Sequence, residues 1–406
     1  MLRSSPKKLR TGEFVPLIAI LMSLVALSVD AMLPALPEIG RDLGAQHRNE
    51  AQFVITALFV GLSLGQLLFG PLSDRIGRKP AIIIGLLIFM VGCVVSIFAS
   101  SFETMITGRI LQGVGAASPR IVTMALVRDQ FSGQQMARIL SFSMAIFILV
   151  PAIAPLLGQT ILLMGNWRLI FATFLTLAVI VFVWFFFRQP ETLAVENRLS
   201  VAPRAVIHSV GVVLRTRQSL GYALATGFIF APFVAYLSTA QQVFQEAYDT
   251  GKLFPAYFGA LALAIGLGAL VNDRLLRAWG MHQISKFSTL AVTVISFAAF
   301  AGFVAFDSLP PLWLFTGYLG VLFFLMGTIF GNLNALTMEP LGYVAGIGAA
   351  LTSAMAVLVS VTLGGIAGQF FDGTVNFLAC AFALFGIATL AAMWWGIRPD
   401  PKHREK

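Results

Sequence analysis

The chain has 406 residues, 58% of them hydrophobic and only 11% charged, with a formal net charge of +9. A soluble globular chain is about a quarter charged, so this composition excludes a soluble enzyme. At roughly 20 apolar residues per crossing, the length accommodates about a dozen membrane helices. In chain order the apolar segments run from Phe14 to Leu36, Ala51 to Leu72, Ala81 to Ser100, Glu103 to Val127, Ile139 to Leu163 and Trp167 to Phe187. After a polar stretch from Arg188 to Gln218 they resume at Ser219 to Gln245, Phe254 to Val271, Ile284 to Phe306, Pro311 to Ala335, Gly346 to Phe371 and Phe377 to Ile397. The expected fold is an all-α membrane protein of twelve transmembrane helices in two six-helix halves, 1–187 and 219–406, joined by a linker over 188–218.

The first segment has a basic lead (Arg3, Lys7, Lys8, Arg10) but no small-residue cleavage site, so it reads as an uncleaved helix. With the N-terminus inside, 21 Lys and Arg fall in inside regions. Only Arg41, Arg48, Arg168 and Lys252 fall outside, and Arg109 and Arg120 lie within the membrane. Basic residues stay on the cytoplasmic side, so both termini are expected there, and the four outside cations are expected to matter little to mechanism. Cys93 and Cys380 sit far apart in apolar runs and read as core packing; a metal or disulfide site is not expected. All four histidines, His47, His208, His282 and His403, fall in polar connections, so none is expected to relay protons inside the membrane.

The chain also repeats itself. Ser73 to Lys79 reads S-D-R-I-G-R-K, and Asn272 to Ala278 reads N-D-R-L-L-R-A. Asp74, Arg75 and Arg78 map onto Asp273, Arg274 and Arg277 at one offset of 199, close to half the chain, as two homologous halves would require.

The string G-P-L-S-D-R-I-G-R-K-P, Gly70 to Pro80, closely resembles the signature between the second and third helices of the major facilitator superfamily. Gly108 to Ala117 (G-R-I-L-Q-G-V-G-A-A) is similar to the fourth-helix motif, Val150 to Gly158 (V-P-A-I-A-P-L-L-G) to the fifth-helix motif of antiporters, and Pro190 to Thr192 (P-E-T) to the usual exit from the sixth helix. With Ser28 to Pro37 (S-V-D-A-M-L-P-A-L-P), the whole chain resembles the bicyclomycin and chloramphenicol/florfenicol type of drug/proton antiporter. One departure stands out: the fifth-helix motif commonly ends in two glycines, and here Gln159 follows Gly158. The resemblance implies a bacterial inner-membrane carrier, expected as a monomer, that exchanges protons for small molecules without nucleotide or other cofactor. No nucleotide-binding G-x-x-x-x-G-K loop occurs in the sequence.

Asp30 is the one acid well inside an apolar segment. A lone carboxylate in hydrocarbon costs several kcal/mol, so it must face a cavity, take a proton or find a partner. It is either a proton-coupling and substrate-binding group or a capping carboxylate before Pro34. Asp30 and Arg109 lie at similar depth, roughly 7 to 9 Å to one side of the midplane at about 1.5 Å per residue. Arg109 therefore either tunes Asp30 or bonds backbone carbonyls and Gln112. Arg120, about 16 Å from Arg109 along nearly one helix face, follows the helix-bending Pro119 and either meets a polar or anionic substrate or snorkels as an anchor. The resemblance further implies an inner latch of Gly70, Asp74, Arg75, Gly77, Arg78 and Lys79, with Arg128 and Asp129 and the second-half copy Asp273, Arg274 and Arg277. Asp74 would hold the N-terminus of a facing helix, where the dipole favours an anion. Pro151, Pro155 and Gly158 form a kinked, small-residue surface suited to sealing the halves. In the second half Phe233, Tyr236, Asn332 and Asn334 are expected to line a cavity. Export of a drug-like compound is the function expected, with export of a polar or anionic metabolite as the alternative; an enzyme is not expected.

Overall fold

The computed structural model describes residues 9, 11–198, 210–305 and 309–397. The basic N-terminal lead, His208, His403 and the charged C-terminal tail fall outside them. Helices α1 (Thr11–Asp30), α3 (Phe53–Ile76), α4 (Arg78–Ile97), α5 (Phe102–Gln130), α6 (Gly133–Met164) and α7 (Arg168–Arg188) build the first bundle. A short helix α2 (Leu36–Asp42) follows α1. The second bundle holds α8 (Arg217–Gln241), α9 (Phe254–Leu275), α10 (Met281–Val304), α11 (Leu312–Met338), α12 (Ala345–Gln369) and α13 (Asn376–Ile397). Eleven described helices are long and apolar enough to span a bilayer, and the 32-residue α6, apolar over Leu149–Met164, completes the expected twelve.

Proline placement decides where the first span breaks. The expected segment runs on to Leu36, but α1 stops at Asp30. Pro34 has no amide proton to give the Asp30 carbonyl, and Pro37 none for Leu33, so the chain passes through a tighter turn at Leu33–Ala35 before α2. A second irregularity ends α8, where Gln242–Ala247 widen into a π-helical turn. Both breaks lie at the same end of the molecule.

The two bundles repeat one packing scheme. In the first, α5 packs between α3 and α4; in the second, α11 packs between α9 and α10. The motif residues Gly108, Gly113 and Gly115 leave α5 almost in backbone contact with its neighbours. Between bundles, α3 lies along α12 and α6 along α9. Gly158 also seats α6 against the break after α1: a Cβ there would stand 1.7 Å from the Ala31 carbonyl oxygen. The motif's close contact is therefore made at its first glycine, with Gln159 in place of a second.

Gly158→Ala is expected to cost about 2 kcal/mol by overpacking this contact, read as a lower thermal midpoint of the purified protein in detergent. Gly317→Ala, whose Cβ meets nothing within 4 Å, is the control and should leave the midpoint unchanged or slightly raised.

Candidate functional site

Where α1 stops, its last carbonyls lack donors from their own helix. Arg109, wholly buried on α5, supplies one: Nη2 donates to the Ser28 carbonyl at 2.9 Å. Its Nε donates to the Val54 carbonyl of α3 at 3.0 Å and Nη1 to Gln112 Oε1 at 2.6 Å. Gln112 Nε2 in turn donates to Ser96 Oγ of α4 at 3.1 Å. The guanidinium also lies 5.7 Å from the centroid of the Phe171 ring on α7. One cation thus joins five helices, and it sits at a helix C-terminus, where the dipole favours positive charge. Of the two roles open to Arg109, the structure displays the bonding to carbonyls and Gln112; Asp30 is not among its acceptors. Gln112, expected at a substrate, has both ends of its amide engaged.

Asp30 stands two residues beyond the carbonyl that Arg109 holds. It is 4% exposed, and no donor among the described residues bonds its carboxylate. On the second bundle, Tyr236 of α8 is 1% exposed and its Oη has no partner among the described residues. Tyr236 belongs to an aromatic wall. Its ring stacks on Phe258 at 5.8 Å, meets Phe323 edge-on at 4.8 Å and lies 6.2 Å from Phe233. Phe230 continues the wall, 5.1 Å from Phe233 and 4.9 Å from Phe330 of α11. Arg120 of α5 is half-buried, and no described residue bonds it. The structure therefore leaves Asp30 and Tyr236 each without a bonded partner, keeps Arg109 in a capping role, and leaves Arg120 unbonded by any described residue. Asn332 is spent elsewhere: it exchanges two amide bonds with Asn272 of α9, at 2.9 and 3.1 Å. Asn334 is exposed.

The end carrying Asp74 is ionic. Arg78 joins Asp74 and, through Nε at 3.0 Å, Asp129, and it donates to Ser73 Oγ at 3.0 Å. Gly346 opens α12 opposite, and a Cβ on it would stand 3.6 Å from Asp74 Oδ2, which places the carboxylate at that helix's N-terminus. Gly70, one turn earlier, approaches Ala350 of the same helix. Glu191, from the P-E-T exit but not anticipated in the latch, accepts from the Arg78 and Lys79 amides at 2.9 and 3.1 Å. It caps α4 across 113 residues of sequence. Gly77 makes room for it: its φ of +109° suits glycine, and a Cβ there would stand 2.3 Å from Glu191 Oε2. Lys79 Nζ donates to the Phe186 carbonyl at 2.6 Å, while Arg75 and Arg128 are exposed. The second-half copy does not form such a cluster. Arg277 and Asp273 pair at 3.3 Å in the open, Arg274 is exposed, and the buried bond of that loop is the neutral Asn272–Asn332 pair.

The opposite end closes on amides. Asn49 Nδ2 donates to the Gln369 and Phe371 carbonyls at 3.1 and 3.0 Å, and Gln52 Nε2 donates to Gln242 Oε1 at 2.7 Å. Gln369 returns a bond to the Asn49 carbonyl at 3.1 Å, and Arg48 pairs with Glu246. Arg48, one of the four cations expected outside, thus ties the α1–α3 connection to the π-helical turn after α8.

A sequence profile of the Major Facilitator Superfamily matches residues 18–361. The chain belongs to this superfamily. It is a multi-pass membrane transporter, not an enzyme. It is 30% identical over 306 residues to a chloramphenicol resistance protein of Pseudomonas aeruginosa, covering 72% of this chain and 70% of that one. It is 27% identical over 287 residues to a bicyclomycin resistance protein homolog of Haemophilus influenzae, covering 70% and 72%. These relatives bear out the resemblance to the drug-antiporter type of the superfamily. In three dimensions the chain is similar to the xylose transporter XylE of E. coli in a partially occluded inward open conformation. The TM-score is 0.74 at 13% identity, over 97% of this chain and 99% of that one, a likeness of fold.

Replacing Glu191 by Gln keeps the side-chain shape and removes the anion at the α4 N-terminus. A loss of about 1 kcal/mol is expected, read as a lower thermal midpoint at low ionic strength that converges with the unsubstituted protein at high salt; equal midpoints at low salt would exclude a charged cap.

Proposed function

We propose that the protein is a proton-coupled antiporter that exports drug-like small molecules across the bacterial inner membrane by alternating access. Both termini face the cytoplasm on this reading, which the distribution of basic residues supports. The ionic Asp74 end is then the inner one and the amide end the outer one. The halves 1–187 and 219–406 rock about the boundary between them, with 188–218 as the cytoplasmic linker, and a single chain suffices.

One observation carries the proposal. Asp30 is a buried carboxylate without a bonded partner on one bundle, and Tyr236 carries a buried, unpartnered phenol on the other. As an anion it requires water or a cation, and meeting that requirement favours an open cavity. As a neutral acid it has an O–H to donate, and on this reading closure of the bundles offers it the orphan Tyr236 Oη as acceptor. Proton binding thus favours closure of the bundles on each other, and proton release favours opening. A proton shifts the balance only by its differential affinity for the two arrangements, and this geometry supplies the difference. The names of the relatives support a drug-like cargo, and the aromatic wall beside Tyr236 suits apolar rings.

Efflux from vesicles under an imposed pH gradient tests the reading, with chloramphenicol among a panel of compounds. Asp30→Asn should lower gradient-driven efflux by about tenfold or more, since the amide mimics only the neutral state. Full gradient-driven transport by that variant would remove Asp30 from proton coupling.

A further inference from the structure

Arg120 poses a question that proton coupling leaves unanswered. A guanidinium has five N–H donors and never gives up its charge inside a protein. Enclosing it without acceptors is costly, and native structures resolve that cost with a carboxylate, carbonyls or an outside ligand. Among the described residues none of these bonds Arg120. Its sibling Arg109, eleven positions earlier on nearly the same helix face, has all three of its nitrogens engaged. The contrast marks Arg109 as structural and Arg120 as open.

Two further orphans belong to α5 and the α3 helix packed against it. Thr123, one turn on along the same face of α5, is fully buried with its Oγ1 unpartnered. Gln66 of α3 is fully buried with both Nε2 and Oε1 unpartnered. Its neighbour Gly65 seats α3 against Val114 and Ala117, the turn of α5 that leads to Arg120. A guanidinium, a hydroxyl and a carboxamide, all without partners on two helices packed against each other, make up one set of donors. A carboxylate takes such a set well, accepting a bidentate pair from arginine and keeping lone pairs for the other two. Arg120 is roughly 15 Å from the Asp74 end of its helix and Phe330 roughly 12 Å from the corresponding end of α11, at about 1.5 Å per residue. The Phe230–Phe330 end of the aromatic wall therefore lies at the depth of this cation.

We propose that Arg120, with Thr123 and Gln66, is an anion subsite that selects cargo in which an aromatic ring carries a carboxylate. This deepens the export reading and rests on it only in calling the ligand cargo. The subsite supplies the countercharge that Asp30 cannot, so acidic aromatic compounds are preferred over neutral or cationic analogues of the same shape.

The test is binding of 2-naphthoate, 2-naphthamide and 2-naphthylmethylammonium to the purified full-length protein in detergent, measured by titration calorimetry. The acid should bind about tenfold or more tightly than the amide. Arg120→Gln should abolish that preference while leaving amide binding within about twofold, and Arg120→Lys should keep part of it as a point charge. Retained amide binding shows that each variant is folded. Equal binding of acid and amide by the unsubstituted protein, absence of acid binding, or an undiminished preference in Arg120→Gln would overturn the proposal. Because no gradient is present, this outcome and the Asp30→Asn vesicle result fail independently.

Discussion

The Ser28 carbonyl cannot be bonded from within its own helix, and Arg109 is the group that bonds it. This one contact follows from a constraint on the whole interior: away from water, each backbone polar group freed by a helix break must be satisfied by something else. Pro34 creates the break, Arg109 repairs it, and the repaired turn holds Asp30 at the boundary between bundles. The same arginine reaches α3, α4 and α7 through Val54, Gln112, Ser96 and Phe171. The position of the acid is therefore set by the packing of nearly the whole first bundle, and the acid itself is left without a bond.

A division of labour among the deep charges follows. Arg109 is consumed by architecture, while Asp30 and Arg120 carry no bond from any described residue. Had Arg109 paired with Asp30, the carboxylate would be locked as an anion and would respond little to a passing proton. By binding carbonyls in its place, the cation supports the site without neutralising it. The aromatic wall on the second bundle adds a surface that suits flat apolar groups and a buried, unpartnered phenol.

Much of this was legible in the sequence. The spans follow from hydropathy, the halves from the offset between Asp74 and Asp273, and the singular status of Asp30, Arg109 and Arg120 from the scarcity of charge in apolar segments. Three features were not legible, each for a physical reason. Glu191 caps α4 from 113 residues away, and no local pattern announces a cap supplied by another helix. The seal of Asn49, Gln52, Gln242 and Gln369 is made of residues that look like ordinary solvated loop until the connections meet in space. The repeat misled in part: the second copy preserves the charges of the loop, but the buried bond there passes to Asn272 and Asn332, because two amides satisfy each other without the desolvation cost of ions.

The contrast between the two ends of the molecule has a consequence of its own. At the Asp74 end, charges are gathered around a buried Arg78 and a helix dipole, and salt screens such partly buried contacts little. At the other end most contacts across the bundles are neutral amides, whose bonds exchange with water at little net cost and are indifferent to ionic strength. The two ends therefore meet a change of electrolyte differently: the charges packed around Arg78 hold, while at the amide end the exposed Arg48–Glu246 pair is the part that salt loosens.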